Sequence, residues 1–345
     1  MPNARASCAT RTEALVERRR IFVLGATGTI GQATVRALLQ RGHEVVCFVR
    51  PRAGAGAALS AAQWAKRLSG AELRVGEVQD AASLRQHGFR GEAFDVLLSC
   101  LASRTGVPAD AWAVDHRAHV QALAAAREAG VTQVVQLSAL CVQKPRLAFQ
   151  QAKLAYEREL MASGLRWSIV RPTAFFKSLS GQVARLQQGK PFLVFGDGQL
   201  TACKPIGDED LAAYLCDCLH DPARADRVLP IGGPGPAQTP REQGEALFRL
   251  MGRPPRFKQV PPGLLLGIAT GLGWAGRVWP AAAAKAELAR IGHYYATESM
   301  LVWDATRGAY DAEATPSTGT QTLIDYQARL LSGQAVLERG DHAVF

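Results

Sequence analysis

An α/β fold, a parallel sheet covered by helices on both faces, is what this sequence predicts, and two observations carry the prediction. Short apolar runs rich in Val, Leu and Ile alternate with amphipathic helix-like stretches, the pattern of buried parallel strands and their crossover helices. The first run is followed at once by three evenly spaced glycines, Gly25, Gly28 and Gly31, where the first helix begins. In chain order the expected strands are Arg20–Leu24, Glu44–Val49, Glu72–Val75, Phe94–Leu98, Gln133–Leu137 and Trp167–Val170. Helical segments such as Ile30–Gln40 and Ala111–Ala129 lie between them, and Gly42 and Gly130 each stand where a helix needs a left-handed C-cap. A seventh strand-like run, Arg227–Ile231, is expected to return to the sheet.

The glycines decide what such a sheet is for. Gly25-Ala26-Thr27-Gly28-Thr29-Ile30-Gly31 is a G-x-x-G-x-x-G turn delivered by a strand and opening a helix. Glycines let the backbone turn sharply and approach a pyrophosphate, while the helix N-terminus offers unpaired N–H groups and a partial positive charge. At the end of the second strand an NAD site would carry an acid for the ribose 2′-hydroxyl. Arg50, with Arg52 nearby, stands there instead and suits the 2′-phosphate of NADP. The sheet is therefore expected to be of the NAD(P)-binding Rossmann type, doubly wound, with NADPH as cofactor and a smaller C-terminal substrate lobe. Residues 1–18 read as a flexible tail, 19–175 as the nucleotide-binding domain and 176–345 as the substrate lobe, into which the strand near 227–231 does not fit.

Composition bounds the alternatives. At 345 residues, with 48% hydrophobic and 20% charged side chains, the chain can bury a large core. The net charge of +10 is concentrated. Residues 1–20 hold five Arg against two Glu, and Lys144–Lys204 holds ten basic side chains against three acidic ones. A basic middle suits an anionic small molecule or lipid. Nucleic acid is not expected, since no zinc-finger spacing or Lys/Arg cluster is present. Seven cysteines without a CxxC pair read as free thiols, Cys216 and Cys218 lying on different faces of one helix; no metal site or iron–sulfur cluster is expected. The N-terminus lacks the apolar core of a signal peptide, and a cytoplasmic protein is expected. The uncharged run Val260–Gly276 is too short and too rich in Gly and Pro to span a bilayer. It reads as a core helix or lid in preference to an apolar surface touching a membrane.

The motifs GATGTIG, GEVQDAASL, LLSCLAS, VVQLSAL and SIVRPTAFF resemble the short-chain dehydrogenase superfamily in its extended and atypical branches. The resemblance implies a Tyr-x-x-x-Lys pair in which tyrosine donates a proton to a carbonyl and lysine holds the nicotinamide ribose. This chain reads Phe149-Gln-Gln-Ala-Lys153. A phenyl ring cannot donate that proton, so alcohol–ketone chemistry is disfavoured. Lys153 keeps its implied role as catalytic and cofactor-binding residue. Ser138 and Pro172, at the ends of the fifth and sixth strands, are carried over as cofactor-binding positions, although without a tyrosine Ser138 could simply satisfy a backbone group. Two readings fit a tyrosine-less NADP fold: a reductase of carbon–carbon double bonds, and an NmrA-like sensor of NADP that regulates without catalysis.

The second half of the chain separates these readings. CVQKP, RPTAFFKSL, FGDG and ACKPI are similar to the NADPH-type, flavin-free divinyl chlorophyllide 8-vinyl reductases, over about Arg20 to Pro262. That resemblance implies reduction of an ethenyl group to ethyl on a chlorin in chlorophyll or bacteriochlorophyll synthesis. It also implies a large flat substrate with a propionate; whether the protein touches a photosynthetic membrane at its periphery is left open. Phe175, Phe176, Phe192 and Phe195 are candidates for the ring face, and Lys144, Lys177 and Lys204 for the carboxylate. The proton that completes reduction has four candidate sources: Lys153, Tyr156, a cysteine such as Cys203, or water. Oligomeric state is not legible.

Overall fold

The computed structural model describes residues 17–53, 59–276 and 278–336. The expected tail therefore lies outside the described residues except for Glu17 and Arg18. Seven parallel strands form the central sheet: β1 (Arg20–Leu24), β2 (Glu44–Val49), β3 (Glu72–Val75), β4 (Val96–Ser99), β5 (Gln133–Leu137), β6 (Arg166–Pro172) and β8 (Arg227–Ile231). Their order is β8-β6-β5-β4-β1-β2-β3. The direction of strand addition thus reverses between β1 and β4, the switch point at which such sheets open a crevice at their C-terminal edge.

Both faces are buried, for the reason the strand compositions suggest. Along β1, Ile21 and Val23 pack with Val35 and Leu38 of helix α1 (Thr29–Gln40). Phe22 and Leu24 point the other way, towards Ala122 and Leu123 of α2 (His119–Glu128) and Leu160 of α3 (Ala148–Met161). Alternation along a strand sends every second side chain to the opposite layer, so a strand sandwiched by helices must be apolar throughout. Gly42 and Gly130 have φ of 82° and 76°, the left-handed cap geometry. The helical stretch before α2 is less regular than its sequence suggests: Pro108–Ala111 is α-helical, but Trp112–Ala118 widens into π-type turns.

The smaller lobe is built on the two-stranded parallel pair β7 (Phe192–Phe195) and β9 (Phe257–Val260). Helix α4 (Asp208–Asp217) packs beside α1 on the central sheet, and around the β7–β9 pair lie α5 (Pro240–Leu250), α6 (Gly263–Ala275), α7 (Pro280–Thr297), the hairpin β10 (Val302–Asp304) with β11 (Ala309–Asp311), and α8 (Leu323–Leu331). The core-helix reading of Val260–Gly276 is corrected here. Within α6 only Ala269 is buried, and Leu264, Leu266, Ile268 and Trp274 are exposed. A long apolar run reads the same from sequence whether its neighbours cover it or not.

Candidate active site

The site gathers at the C-terminal edge of the sheet, around the crevice between β1 and β4. Gly25 follows β1 with φ 76°. A Cβ there would lie 2.4 Å from the carbonyl carbon of Cys100, and one at Gly31 would lie 2.1 Å from the Gly25 oxygen. Both positions demand glycine because backbone already fills the space a side chain would need. Gly28 is different: a Cβ would come only within 3.5 Å of the Gly25 oxygen, so its absence leaves room for something else. Gly28 is the N-cap of α1 without a side-chain cap, and no acid sits in the first turn. The first N–H groups of a helix have no intrahelical acceptor. They therefore face the cleared space, where the helix dipole favours an anion. The turn fits a pyrophosphate. Arg50 is half-buried where β2 leaves the sheet, at the same edge.

Two ion pairs, each with a buried carboxylate, lie among the elements that follow the strand ends. Lys153 Nζ on α3 lies 2.9 Å from Asp115 Oδ1 in the π-type segment, and both residues are buried. The Ser103 N–H donates to the same oxygen at 3.2 Å, while Asp115 Oδ2 is buried with no partner among the described residues. Burial pushes the Asp115 carboxyl up, but the Lys153 ammonium and the Ser103 N–H outweigh it and hold it below the usual carboxylate range. A buried carboxylate oxygen without a donor is costly, and Asp115 is enclosed by protein, so it acts by holding the Lys153 ammonium. The glycine turn thus fits the pyrophosphate of a dinucleotide, with the donors Lys153 has left beyond Asp115 as its candidate second hold.

The second pair holds Ser138. Its hydroxyl donates to Glu157 Oε1 at 2.6 Å, and Arg171 of β6 bridges to the other oxygen of Glu157. The hydroxyl is therefore committed to a carboxylate rather than to a backbone group, a correction to one role considered from sequence. Pro172 ends β6 next to this network and is buried.

Phe149 lies one helical turn before Lys153, packed in a cluster with Cys141, Leu147, Ile291 and Tyr294. Helix α7 supplies the far wall of the site. Tyr294 donates to the Cys141 oxygen at 2.9 Å, and the Tyr295 hydroxyl lies 3.7 Å from Cys141 Sγ. An edge of the Tyr295 ring is exposed, but its hydroxyl is enclosed, and burial raises its pKa well above the ordinary value.

The other proposed proton sources fare unequally. Tyr156 faces the opposite layer, its ring 4.7 Å from that of His119 and its hydroxyl buried without a partner among the described residues; burial raises its pKa. Burial likewise pushes the Cys203 thiol up to about 12. Neither offers an exposed acid, and Lys153 keeps hydrogen-bond donors beyond the one given to Asp115.

Of the substrate candidates, Phe175 is half-buried where β6 leads into the short helix Phe176–Leu179, and Lys177 on that helix is also half-buried. Phe176 is a correction. It is buried against the Tyr326 ring, 5.7 Å away, and so belongs to the core. Phe192 is likewise buried, among Phe248 and Phe257 of the smaller lobe, and Phe195 is half-buried on the same strand. The four phenylalanines do not form one face. Lys204 donates to the Thr315 oxygen at 2.8 Å. Lys144 is matched internally: it pairs with Glu298 at 2.6 Å and sits 4.2 Å from the Trp303 ring centre, while Arg146 holds the other Glu298 oxygen at 2.8 Å. Sequence reasoning missed Asp115, Glu157 and Tyr294. The first two carried a faint signal, as lone acids at apolar-periodic positions of helices.

Sheet order, glycine turn and the Lys153–Asp115 pair together define a nicotinamide-nucleotide-binding protein of the Rossmann class, and the family model described as NAD(P)H-binding matches residues 25–222. Solved structures of similar fold include leucoanthocyanidin reductase with NADPH from Vitis vinifera (TM-score 0.65, 14% identity, covering 91% of this chain and 99% of that one). The NADPH-dependent quinone oxidoreductase QOR2 from Escherichia coli is comparable (TM-score 0.63, 19% identity, 90% and 99%). Among curated proteins, divinyl chlorophyllide a 8-vinyl-reductase of Oryza sativa subsp. indica, described as chloroplastic, is 47% identical over 331 residues, 94% of this chain and 82% of its own length. The proteins of the same name from Cucumis sativus and Arabidopsis thaliana are 46% and 43% identical, covering 94% and 93% of this chain and 79% of theirs. The chain belongs to this family of reductases.

Proposed function

We propose that the chain uses NADPH to reduce the 8-vinyl group of 3,8-divinyl chlorophyllide a to ethyl, giving monovinyl chlorophyllide a in chlorophyll or bacteriochlorophyll synthesis. It is an oxidoreductase acting on a carbon–carbon bond with NADP as acceptor. The observation that carries this reading is the pairing of a phenylalanine at 149 with a buried, charge-matched lysine one turn later, in a chain whose relatives of that name match nearly all of it. Carbonyl reduction needs an acid at the oxygen. A vinyl group conjugated to a chlorin does not, because the macrocycle accepts the charge.

When bound, NADPH supplies the hydride. The chain's residues do the rest. Gly25, Ala26, Thr27, Gly28, Thr29, Ile30 and Gly31 cradle the pyrophosphate, and Arg50 takes the 2′-phosphate. Lys153, oriented by Asp115, holds the nicotinamide ribose with Ser138 and Pro172 beside it. Its ammonium also stabilises negative charge spreading over the pigment. We assign Phe175 to the border of the ring, and Lys177 and Lys204 to its propionate. Functionally the chain divides into a nucleotide-binding unit, 19–175, and a substrate lobe, 176–345. It works from the cytoplasmic side, at the periphery of a photosynthetic membrane.

The test is to incubate the purified protein with NADPH and divinyl chlorophyllide a and to weigh the pigment. A gain of two hydrogen atoms, dependent on NADPH, is expected. Tight NADPH binding with unchanged pigment would favour the NADP-sensing regulator instead.

A further inference from the structure

Helices α6 and α7 form a hairpin whose outer face is apolar and uncovered. Over Gly263–Ala275 there is no charged side chain. Leu264, Leu266, Ile268, Trp274, Val278 and Trp279 are all exposed, Trp274 by 70% and Trp279 by 66%. Contiguous exposed apolar surface of this kind calls for a partner. The hairpin is nonetheless well built. A Cβ at Gly276 would lie 2.8 Å from the backbone of Ala283, so the two helices meet backbone to backbone at their junction. No described helix is long and apolar enough to cross a membrane, and α6, at about 1.5 Å per residue, is roughly 20 Å long.

Charge says what covers this face. In the segment leading into α6, Arg253, Arg256 and Lys258 are exposed; on α7, Lys285 and Arg290 are exposed, with Glu287 as the acid between them, paired to Arg290 at 2.8 Å. A second copy docked by the same face would bring these cations together, which is costly. An anionic lipid leaflet would meet them with opposite charge. We propose that the α6–α7 hairpin lies in the interface of an anionic bilayer, its apolar face among the acyl chains and the flanking Arg and Lys at the headgroups.

The hairpin is continuous with the active site. The outer half of α7 carries Lys285 and Leu288 on the surface, and the inner half carries Ile291 and Tyr294 into the cluster with Phe149 and Cys141. A chlorin dissolved in the leaflet would therefore approach Lys153 along α7 without crossing water. This last step rests on the vinyl-reductase reading; lipid binding does not.

The experiment uses the full chain and vesicles of phosphatidylcholine with or without phosphatidylglycerol. Co-sedimentation is expected with phosphatidylglycerol, weakening as salt is raised. The double variant Leu264→Gln/Leu266→Gln should lose vesicle affinity by about a hundredfold or more, and Arg256→Ser/Lys258→Ser should bind less tightly to the anionic vesicles only. Bromine-labelled acyl chains should quench tryptophan fluorescence in the wild type and much less in Trp274→Phe. Turnover of detergent-dispersed pigment should persist in all these variants. Loss of that turnover in the wild type too would count against the reductase reading and leave the lipid result standing. Unchanged sedimentation of the Leu264→Gln/Leu266→Gln protein would overturn the proposal. So would a wild-type dimer that these substitutions dissociate, with no vesicle binding at either salt.

Discussion

Lys153 Nζ and Asp115 Oδ1 are 2.9 Å apart in a position where both side chains are buried, and the second Asp115 oxygen has no partner among the described residues. The pair links α3 to the π-widened segment before α2. It buries a matched charge between the two elements. Removing either member leaves the other charge buried alone, which typically costs about 3–5 kcal/mol. Asp115→Asn and Lys153→Met should each lower stability by an amount of that order in urea unfolding. The double variant should cost clearly less than their sum. Lys153→Met should also reduce turnover sharply, whereas additive costs would mean that the two groups do not act as a pair.

Gly28→Ala separates folding from cofactor binding. The backbone there is ordinary, with φ −75°, and an added Cβ meets only the Gly25 oxygen at 3.5 Å. The melting temperature should stay close to that of the wild type while NADPH affinity falls about tenfold or more, since the methyl group takes the phosphate's space. Gly31→Ala should instead fail to fold the turn. NADPH titration of a well-folded Gly28→Ala protein with wild-type affinity would remove the pyrophosphate from this position.

Arg50→Ala should weaken NADPH binding by about tenfold to a hundredfold, as expected for loss of a charge-assisted contact. NADH binding should hardly change. Equal losses for both nucleotides, measured by fluorescence titration, would make Arg50 a structural residue.

His119 gives a pH signature. Burial first, and then the Lys153 charge, depress its pKa to about 4, and it is held neutral between Ser99 Oγ at 2.9 Å and the Val114 oxygen at 2.8 Å. The unfolded chain takes up a proton on this side chain below about pH 6.5, while the folded chain resists until about pH 4. Stability contributed here is thus complete above pH 6.5 and lost as pH falls towards 4, by up to about 3 kcal/mol. In His119→Phe the fall of the urea midpoint over that window should be shallower. An unchanged slope would show that His119 titrates alike in both states.

The sheet was legible in the sequence because its strands are short, apolar on both faces and punctuated by glycine. Five of the seven have the limits expected from Val, Leu and Ile content alone. The phosphate turn was legible because only glycine fits at Gly25 and Gly31. Pairings across distant segments left little trace. Nothing local to Asp115 says that it meets Lys153, and nothing in Phe176 distinguishes a ring facing a pigment from one packed on Tyr326. Helix α6 is ambiguous in sequence for a related reason: an apolar run shows that a partner is needed but not where the partner is.

In the proposed reaction Lys153 serves a vinyl reduction for which Phe149 has no proton to give. The most direct measurement follows the Soret band of divinyl chlorophyllide a, mixed with NADPH and wild-type, Lys153→Met or Phe149→Tyr protein. A small blue shift is expected with the wild type, a much slower one with Lys153→Met, and no acceleration with Phe149→Tyr. A large gain in rate on restoring the hydroxyl at 149, or full activity without the ammonium at 153, would contradict this reading.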